Sequence, residues 1–136
     1  MFGEKKHPPP QKRIDCLIGA GTTVRGDIVF VGGLRIDGQV IGNVATVDAQ
    51  AGTLVISEHA HIDGDIRVSH IVVNGTVNGQ VSATDYLELQ PKARVTGDVA
   101  YKTLEMHVGA VVQGRLNHGV TEPESASVVE LKRVQG

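Results

Sequence analysis

The residues of this chain that could do chemistry are few and dispersed. His59-Ala60-His61 sets two imidazoles on one side of a strand, which is half of a zinc site. His70, His107 and His118 stand in other segments, and no second cysteine exists to complete a tetrahedral set. These histidines are therefore read as surface groups, and no metal ligand is assigned. Cys16 lies among apolar neighbours in Ile14-Asp15-Cys16-Leu17-Ile18, which predicts a buried, inert thiol. A single cysteine excludes an internal disulfide and fits a reducing compartment. Arg25-Gly26-Asp27 matches the integrin-binding tripeptide, yet it is only the first copy of a unit that recurs along the chain. Asp27, Asp37, Asp63, Asp65 and Asp98 resemble the acidic corners of calcium-binding β-rolls, but those require a nonapeptide period with several glycines per turn. The expected role of these aspartates is to bond local backbone and to solvate the surface. No Gly-x-x-x-x-Gly-Lys-Ser/Thr loop occurs, so nothing points to nucleotide binding or hydrolysis. No catalytic or cofactor-binding residue is assigned, no cofactor is expected, and the chain is read as a non-enzyme.

The elements that position these residues follow from composition and period. A length of 136 residues allows one domain. Aromatic residues make up only 3% and Trp is absent, which leaves no stacking platform for nucleic acid. Val and Ile far outnumber Leu and there are 17 glycines, a composition that favours short strands joined by tight corners. Formal net charge is −2, but Lys5, Lys6, Lys12 and Arg13 against Glu4 give residues 1–13 a charge of +3, leaving −5 for the remainder. A basic arm on an acidic body suggests an anionic partner for the arm. Four cations without aromatic residues give only weak, salt-sensitive contact with nucleic acid, so no specific nucleic-acid partner is expected. No apolar leader segment and no apolar run of about 18 residues is present, which predicts a cytosolic chain.

An internal repeat then sets the architecture. The unit apolar-x-Gly-x-apolar occurs around Gly26, Gly42, Gly64, Gly79, Gly97 and Gly114, at intervals of 16, 22, 15, 18 and 17 residues. A second unit, apolar-x-apolar, keeps step with it in Leu34-Arg35-Ile36, Leu54-Val55-Ile56, Ile71-Val72-Val73, Leu87-Glu88-Leu89 and Leu104-Glu105-Met106. The long interval contains Asp48-Ala49-Gln50-Ala51-Gly52, which reads as a surface insertion. About 17 residues suit three strands of four to six residues and three corners, one turn of a β-helix, with alternate side chains facing a shared core. An antiparallel sandwich is the rival, because Asp37-Gly38, Asn74-Gly75 and Asn78-Gly79 are hairpin-turn dipeptides. With only Thr76, Val77 and Asn78 between Gly75 and Gly79, no strand is left for a second hairpin to pair. Corners of a coil need none. At each corner glycine, positive φ or close approach of the next rung is the expected requirement.

Six rungs make a rod of roughly 29 Å whose sides are closed by hydrogen bonds and whose ends are open. The predicted organisation is a flexible arm over residues 1–13, a β-helix over 14–118 and a flexible tail over 119–136. Pro8, Pro9 and Pro10 cannot cap an end, and the polar stretch 121–127 reads as disordered. Only residues 128–134 have the composition for a short helix that could fold over one. The expectation is that ends meet ends.

The stretch 18–28, Ile-Gly-Ala-Gly-Thr-Thr-Val-Arg-Gly-Asp-Ile, followed by 33–44, Gly-Leu-Arg-Ile-Asp-Gly-Gln-Val-Ile-Gly-Asn-Val, resembles the bactofilin family of bacterial cytoskeletal proteins. The resemblance covers residues 14–118, and the Gly38/Gly42 spacing returns at Gly75/Gly79. It implies an all-β fold, a right-handed parallel β-helix of about six rungs, and nucleotide-independent, nonpolar filaments of a homopolymer. It also implies a scaffold on the inner face of the cytoplasmic membrane that localises cell-shape or cell-wall factors, including cell-wall enzymes. Family members often carry an aromatic residue near the C-terminal end of the core that serves polymerisation; here Phe occurs only at Phe2 and Phe30. The end contacts are therefore assigned to Ile14, Leu17 and Ile18 at one end and Val111, Val112, Leu116 and Val120 at the other. The family's membrane-targeting peptide begins Met-Phe with nearby lysines, which implies that Met1, Phe2, Lys5 and Lys6 meet anionic inner-membrane lipids. Burial of Phe2 supplies on the order of 1.5–3 kcal/mol and each lysine about 1 kcal/mol, enough only when many copies act together. The alternative is a hexapeptide-repeat acyltransferase with a left-handed β-helix, since Ile18, Val24 and Phe30 are six apart, as are Ile56, Ile62 and Val68. That rhythm breaks in every repeat, because the rungs at Ile36–Val40 and Val73–Val77 are two residues shorter.

Overall fold

A computed structural model describes residues 14–47 and 51–119. The strands all pair in parallel and wind into a β-solenoid of about six turns with three faces. The first face is a six-stranded sheet built from β2 (Thr23–Arg25), β5 (Gln39–Ile41), β8 (His61–Asp63), β10 (Thr76–Asn78), β12 (Arg94–Thr96) and β14 (Val111–Gln113). Each strand is three residues long, and its middle residue points inward: Val24, Val40, Ile62, Val77, Val95 and Val112 lie one above another. β-Branched side chains suit such a column, since their single favoured rotamer stacks without adjustment on a pleated surface.

The second and third faces share one sheet. In the first turns they are separate strands, β3 (Ile28–Phe30) and β6 (Val44–Thr46) on one face, β1 (Cys16–Ile18), β4 (Gly32–Ile36) and β7 (Gly52–Ile56) on the other. In later turns single long strands, β9 (Ile66–Val73), β11 (Val81–Leu89) and β13 (Val99–Met106), serve both faces, with an irregularity in register between Ala83 and Tyr86. β15 (Leu116–His118) completes the second face. The strands thus run from three to nine residues rather than the four to six that the period suggests. The reason is local. The early turns round this corner through Gly32 or Gly52, whereas Ser69-His70, Thr84-Asp85 and Lys102-Thr103 contain no glycine or proline and bend as continuous strand.

The core is a single apolar column. Leu34, Ile36, Leu54, Ile56, Ile62, Ile71, Val77, Leu87 and Leu89 are almost wholly shielded from water. The corner after the third face comes in two lengths. Residues 19–22, 57–60, 90–93 and 107–110 form four-residue turns, closed by N–H of the fourth residue donating to C=O of the first at 2.9–3.2 Å. Asp37-Gly38 and Asn74-Gly75 turn in two residues, and a Cβ on Gly75 would collide with the Ser57 carbonyl one rung away. This is the alternation that the shorter intervals at 36–40 and 73–77 predict. The insertion is smaller than its sequence suggests: residues 48–50 lie outside the described residues, but Gly52 is a buried strand residue. Its N–H donates to Ser69 Oγ at 2.9 Å, and the same hydroxyl donates to Gly52 C=O at 2.8 Å.

Candidate assembly surfaces

The corner unit turns on its glycine. Gly42, Gly64, Gly79 and Gly97 have φ between 145° and 156°, and a Cβ on any of them would strike the carbonyl oxygen of the corner glycine one rung earlier. The same collision occurs at Gly114 against Gly97 without positive φ, so close approach operates at all five later corners and positive φ at the first five. Gly26 has φ 132° but meets nothing, because among the described residues no rung lies before it.

A side-chain ladder accompanies this stack. Asn43 N–H donates to Asp27 Oδ1 at 2.9 Å, Asp65 N–H to Asn43 Oδ1 at 2.9 Å, and Gln80 N–H to Asp65 Oδ1 at 3.0 Å. Arg115 N–H donates to Asp98 Oδ1 at 3.0 Å. The expectation that these aspartates bond local backbone is corrected for Asp27, Asp65 and Asp98, which tie one rung to the next because in-register stacking puts the residue about 17 along directly overhead; Asp37 accepts instead from Arg35 Nε in its own rung at 3.0 Å. The last member, Arg115, has donors only and offers no acceptor to a further rung. Asp63 accepts from Asn78 Nδ2 at 2.9 Å, which holds its carboxyl below the ordinary value of 3.8, with His61 assisting at 3.2 Å. His61 is thus engaged along the strand edge while His59 sits in a corner beside Glu58 at 3.4 Å, and the two do not converge on a shared site.

The two ends present the cross-section of the core. At the N-terminal end β1, β2 and β3 each pair on one side only, leaving one edge of backbone donors and acceptors open among the described residues. Ile18, Val24 and Ile28 face inward there and are only partly covered. Cys16 shares the inward register of Leu34, yet it is exposed rather than buried as the sequence predicted, because β1 is the outermost strand and nothing described lies over it. At the C-terminal end Met106 and Leu116 occupy inward positions, in register with Leu89 and Val99, but remain 43% and 44% exposed. Val112 and Leu104 are half-buried in the same layer. Tyr101 and His118 lie at the margin with ring centroids 5.7 Å apart.

Of the contact residues assigned from sequence, Ile18, Val112 and Leu116 belong to these end layers. Leu17 and Val111 point sideways, since Leu17 stands in register with Arg35 and Val111 with Arg94. Ile14 is exposed just before β1, and Val120 lies outside the described residues, as do Met1, Phe2, Lys5 and Lys6. Val24, Ile28, Leu104 and Met106 were not singled out, although each flanks a corner glycine or sits in the apolar-x-apolar unit of a terminal turn. Counting the first and last copies of those units would have found them.

The chain matches the family model of a polymer-forming cytoskeletal protein, Bactofilin, over residues 16–117. It is similar to Bactofilin BacP of Myxococcus xanthus (strain DK1622), 25% identical over 109 residues, covering 80% of this chain and 44% of that protein. It is also similar to Bactofilin BacO of the same strain, 25% identical over 121 residues, covering 86% of this chain and 93% of that protein. The chain thus spans less than half of one of these relatives and nearly all of the other. No solved structure matches it.

Proposed function

The chain belongs to the bactofilin family of polymer-forming cytoskeletal proteins, and on that premise we propose that it assembles end to end, without nucleotide, into filaments that serve as a scaffold. The observation that carries this reading is the pair of bare end layers. Among the described residues, inward-facing Ile18, Val24 and Ile28 at one end, and Met106, Val112 and Leu116 at the other, keep apolar surface in water beside unpaired strand edges. Apolar surface gains roughly 25 cal/mol per Å² on leaving water, and each edge N–H and C=O gains a partner at the same step. Joining two ends satisfies both at once. A long, closed flank then remains for other molecules to dock on.

The filament is placed on the inner face of the cytoplasmic membrane through Met1, Phe2, Lys5 and Lys6 and there positions cell-shape or cell-wall factors, cell-wall enzymes among them. Support for this comes from the sequence of the basic arm: Phe2 with Lys5 and Lys6 is a weak anchor singly and a strong one when repeated along a polymer. Negative-stain microscopy of the purified chain in buffer without nucleotide tests the assembly, with filaments expected; a uniform population of monomers at micromolar concentration would overturn it. Discrete trimers would instead favour an acyltransferase-like particle. Deleting residues 1–6 is expected to abolish co-flotation with anionic liposomes while filaments persist, and unchanged flotation would remove the membrane from the proposal.

A further inference from the structure

We propose that Glu88, Glu105 and His107 form a binding site for one divalent transition-metal ion, with zinc the best fit, on the flank of the last turns. In-register stacking sets Glu88 directly beside Glu105 on neighbouring strands β11 and β13, both on the outward side of the third face. Like charges placed directly opposite repel unless a cation sits between them. Earlier positions of the same outward column are Leu17, Arg35, Val55 and Val72, so the pair of carboxylates is peculiar to this end of the rod.

His107 supplies the third donor. It follows β13 directly, and its N–H donates to Leu89 C=O at 2.9 Å, which anchors the start of the corner. Its Nε2 lies 2.9 Å from Glu88 Oε2 and 3.3 Å from Glu105 Oε2, and the three atoms all fall within 4.8 Å of one another. Ligands about 2.0–2.2 Å from a tetrahedral zinc ion lie roughly 3.4 Å apart, which the 3.3 Å edge matches and from which the 2.9 Å edge must open by about half an ångström. The third edge, between the two carboxylates, is no longer than 4.8 Å, and Glu105 is half exposed. One imidazole with two carboxylates is a donor set suited to zinc and its first-row neighbours rather than to calcium, which prefers oxygen alone.

Neighbouring side chains hold the ligands in place. The Tyr86 hydroxyl donates to Glu105 Oε1, leaving Oε2 for the ion, and Gln90 Nε2 donates at 3.3 Å to Glu88 Oε2, the oxygen that faces His107 and keeps a further lone pair for the ion. Such outer partners fix the orientation of metal-bound carboxylates. The Glu88 and His107 side chains are only 21% and 38% exposed, so the site is partly shielded yet reachable from solvent, and a remaining coordination position is left for water or an outside donor. Solenoid position explains why no other described turn offers this set: among the described residues, His107 is the only histidine that follows an apolar-Glu-apolar unit stacked on a second one.

The test is titration of the full-length, chelator-stripped protein with zinc by calorimetry and by competition with a chromophoric chelator. One zinc per chain is expected at micromolar concentrations or below, with zinc-edge X-ray absorption showing one nitrogen and two or more oxygens and no sulfur. His107→Gln and Glu88→Gln are each expected to weaken binding at least about tenfold while circular dichroism stays unchanged, and His59→Gln to leave it as in the parent. Sulfur in the absorption spectrum, undiminished binding by His107→Gln, or no binding to the parent at micromolar zinc would each overturn the proposal.

Discussion

The middle turns and the terminal turns are written in the same residue pattern but live in different surroundings. Ile62 and Ile66 in the middle are enclosed, whereas Val24 at one end and Leu116 at the other keep water contact from the same two columns. Gly64 has a carbonyl pressed where its Cβ would be; Gly26, in the first copy of the unit, has open space. The contrast teaches that the repeat carries two properties that are usually separate. In the middle it is a folding device, and at the ends the unaltered pattern leaves apolar positions uncovered among the described residues.

That comparison can be broken or sharpened by substitution. Gly64→Val is expected to cost the most, because the branched side chain meets both the Gly42 carbonyl and an unfavourable φ of 156°. Overpacking and backbone strain together come to about 3 kcal/mol or more, read as a large drop in the denaturant midpoint or as failure to fold. Gly26→Ala carries only the backbone term, about 1–2 kcal/mol, and equal losses at the two sites would erase the distinction. Leu54→Ala is expected to lose about 2–5 kcal/mol in chemical denaturation by leaving a cavity. Leu116→Asp, at an inward position of the exposed layer, is expected to change the monomer's melting by less than about 1 kcal/mol while removing filaments from sedimentation and micrographs. Filaments that survive it would place the contact elsewhere.

Smaller still is the effect of the ladder. Asp65→Ala removes the acceptor for Gln80 N–H and is expected to cost about 1 kcal/mol in urea unfolding. The smallest effect lies at high pH. The Tyr86 hydroxyl donates to Glu105, which pushes its pKa from 10.0 up to about 12. Because the folded value is the higher one, the stabilisation is fully present below pH 10 and fades as pH rises from there through about 12. Ultraviolet titration of chelator-treated Tyr101→Phe protein should show its one phenol ionising near 12, and Glu105→Gln should bring it down.

Most of the architecture was legible because glycine spacing and alternation are read directly from the chain. Six copies of apolar-x-Gly-x-apolar fixed the first face and its inward column, and the two short intervals predicted the two-residue corners. The corner between the second and third faces was not legible, since Ser69, Thr84 and Lys102 carry no turn signal and the chain simply bends there. The exposure of Cys16 was missed for a different reason: apolar neighbours along the chain say nothing about whether a rung lies overhead. Glu88 and Glu105 are 17 residues apart and look like ordinary surface charges until register stacks them. The expected acidic-corner bonds were assigned to the wrong partner on the same account, because proximity in a coil follows the period rather than the sequence.

The stacking of each corner glycine on the one before has a further consequence. Every module touches only the module on either side, so the molecule is a ruler whose length is set by how many graduations the gene encodes. Excising one graduation, for instance residues 65–79, should yield a particle shorter by roughly 4.8 Å with both termini of the rod unaltered.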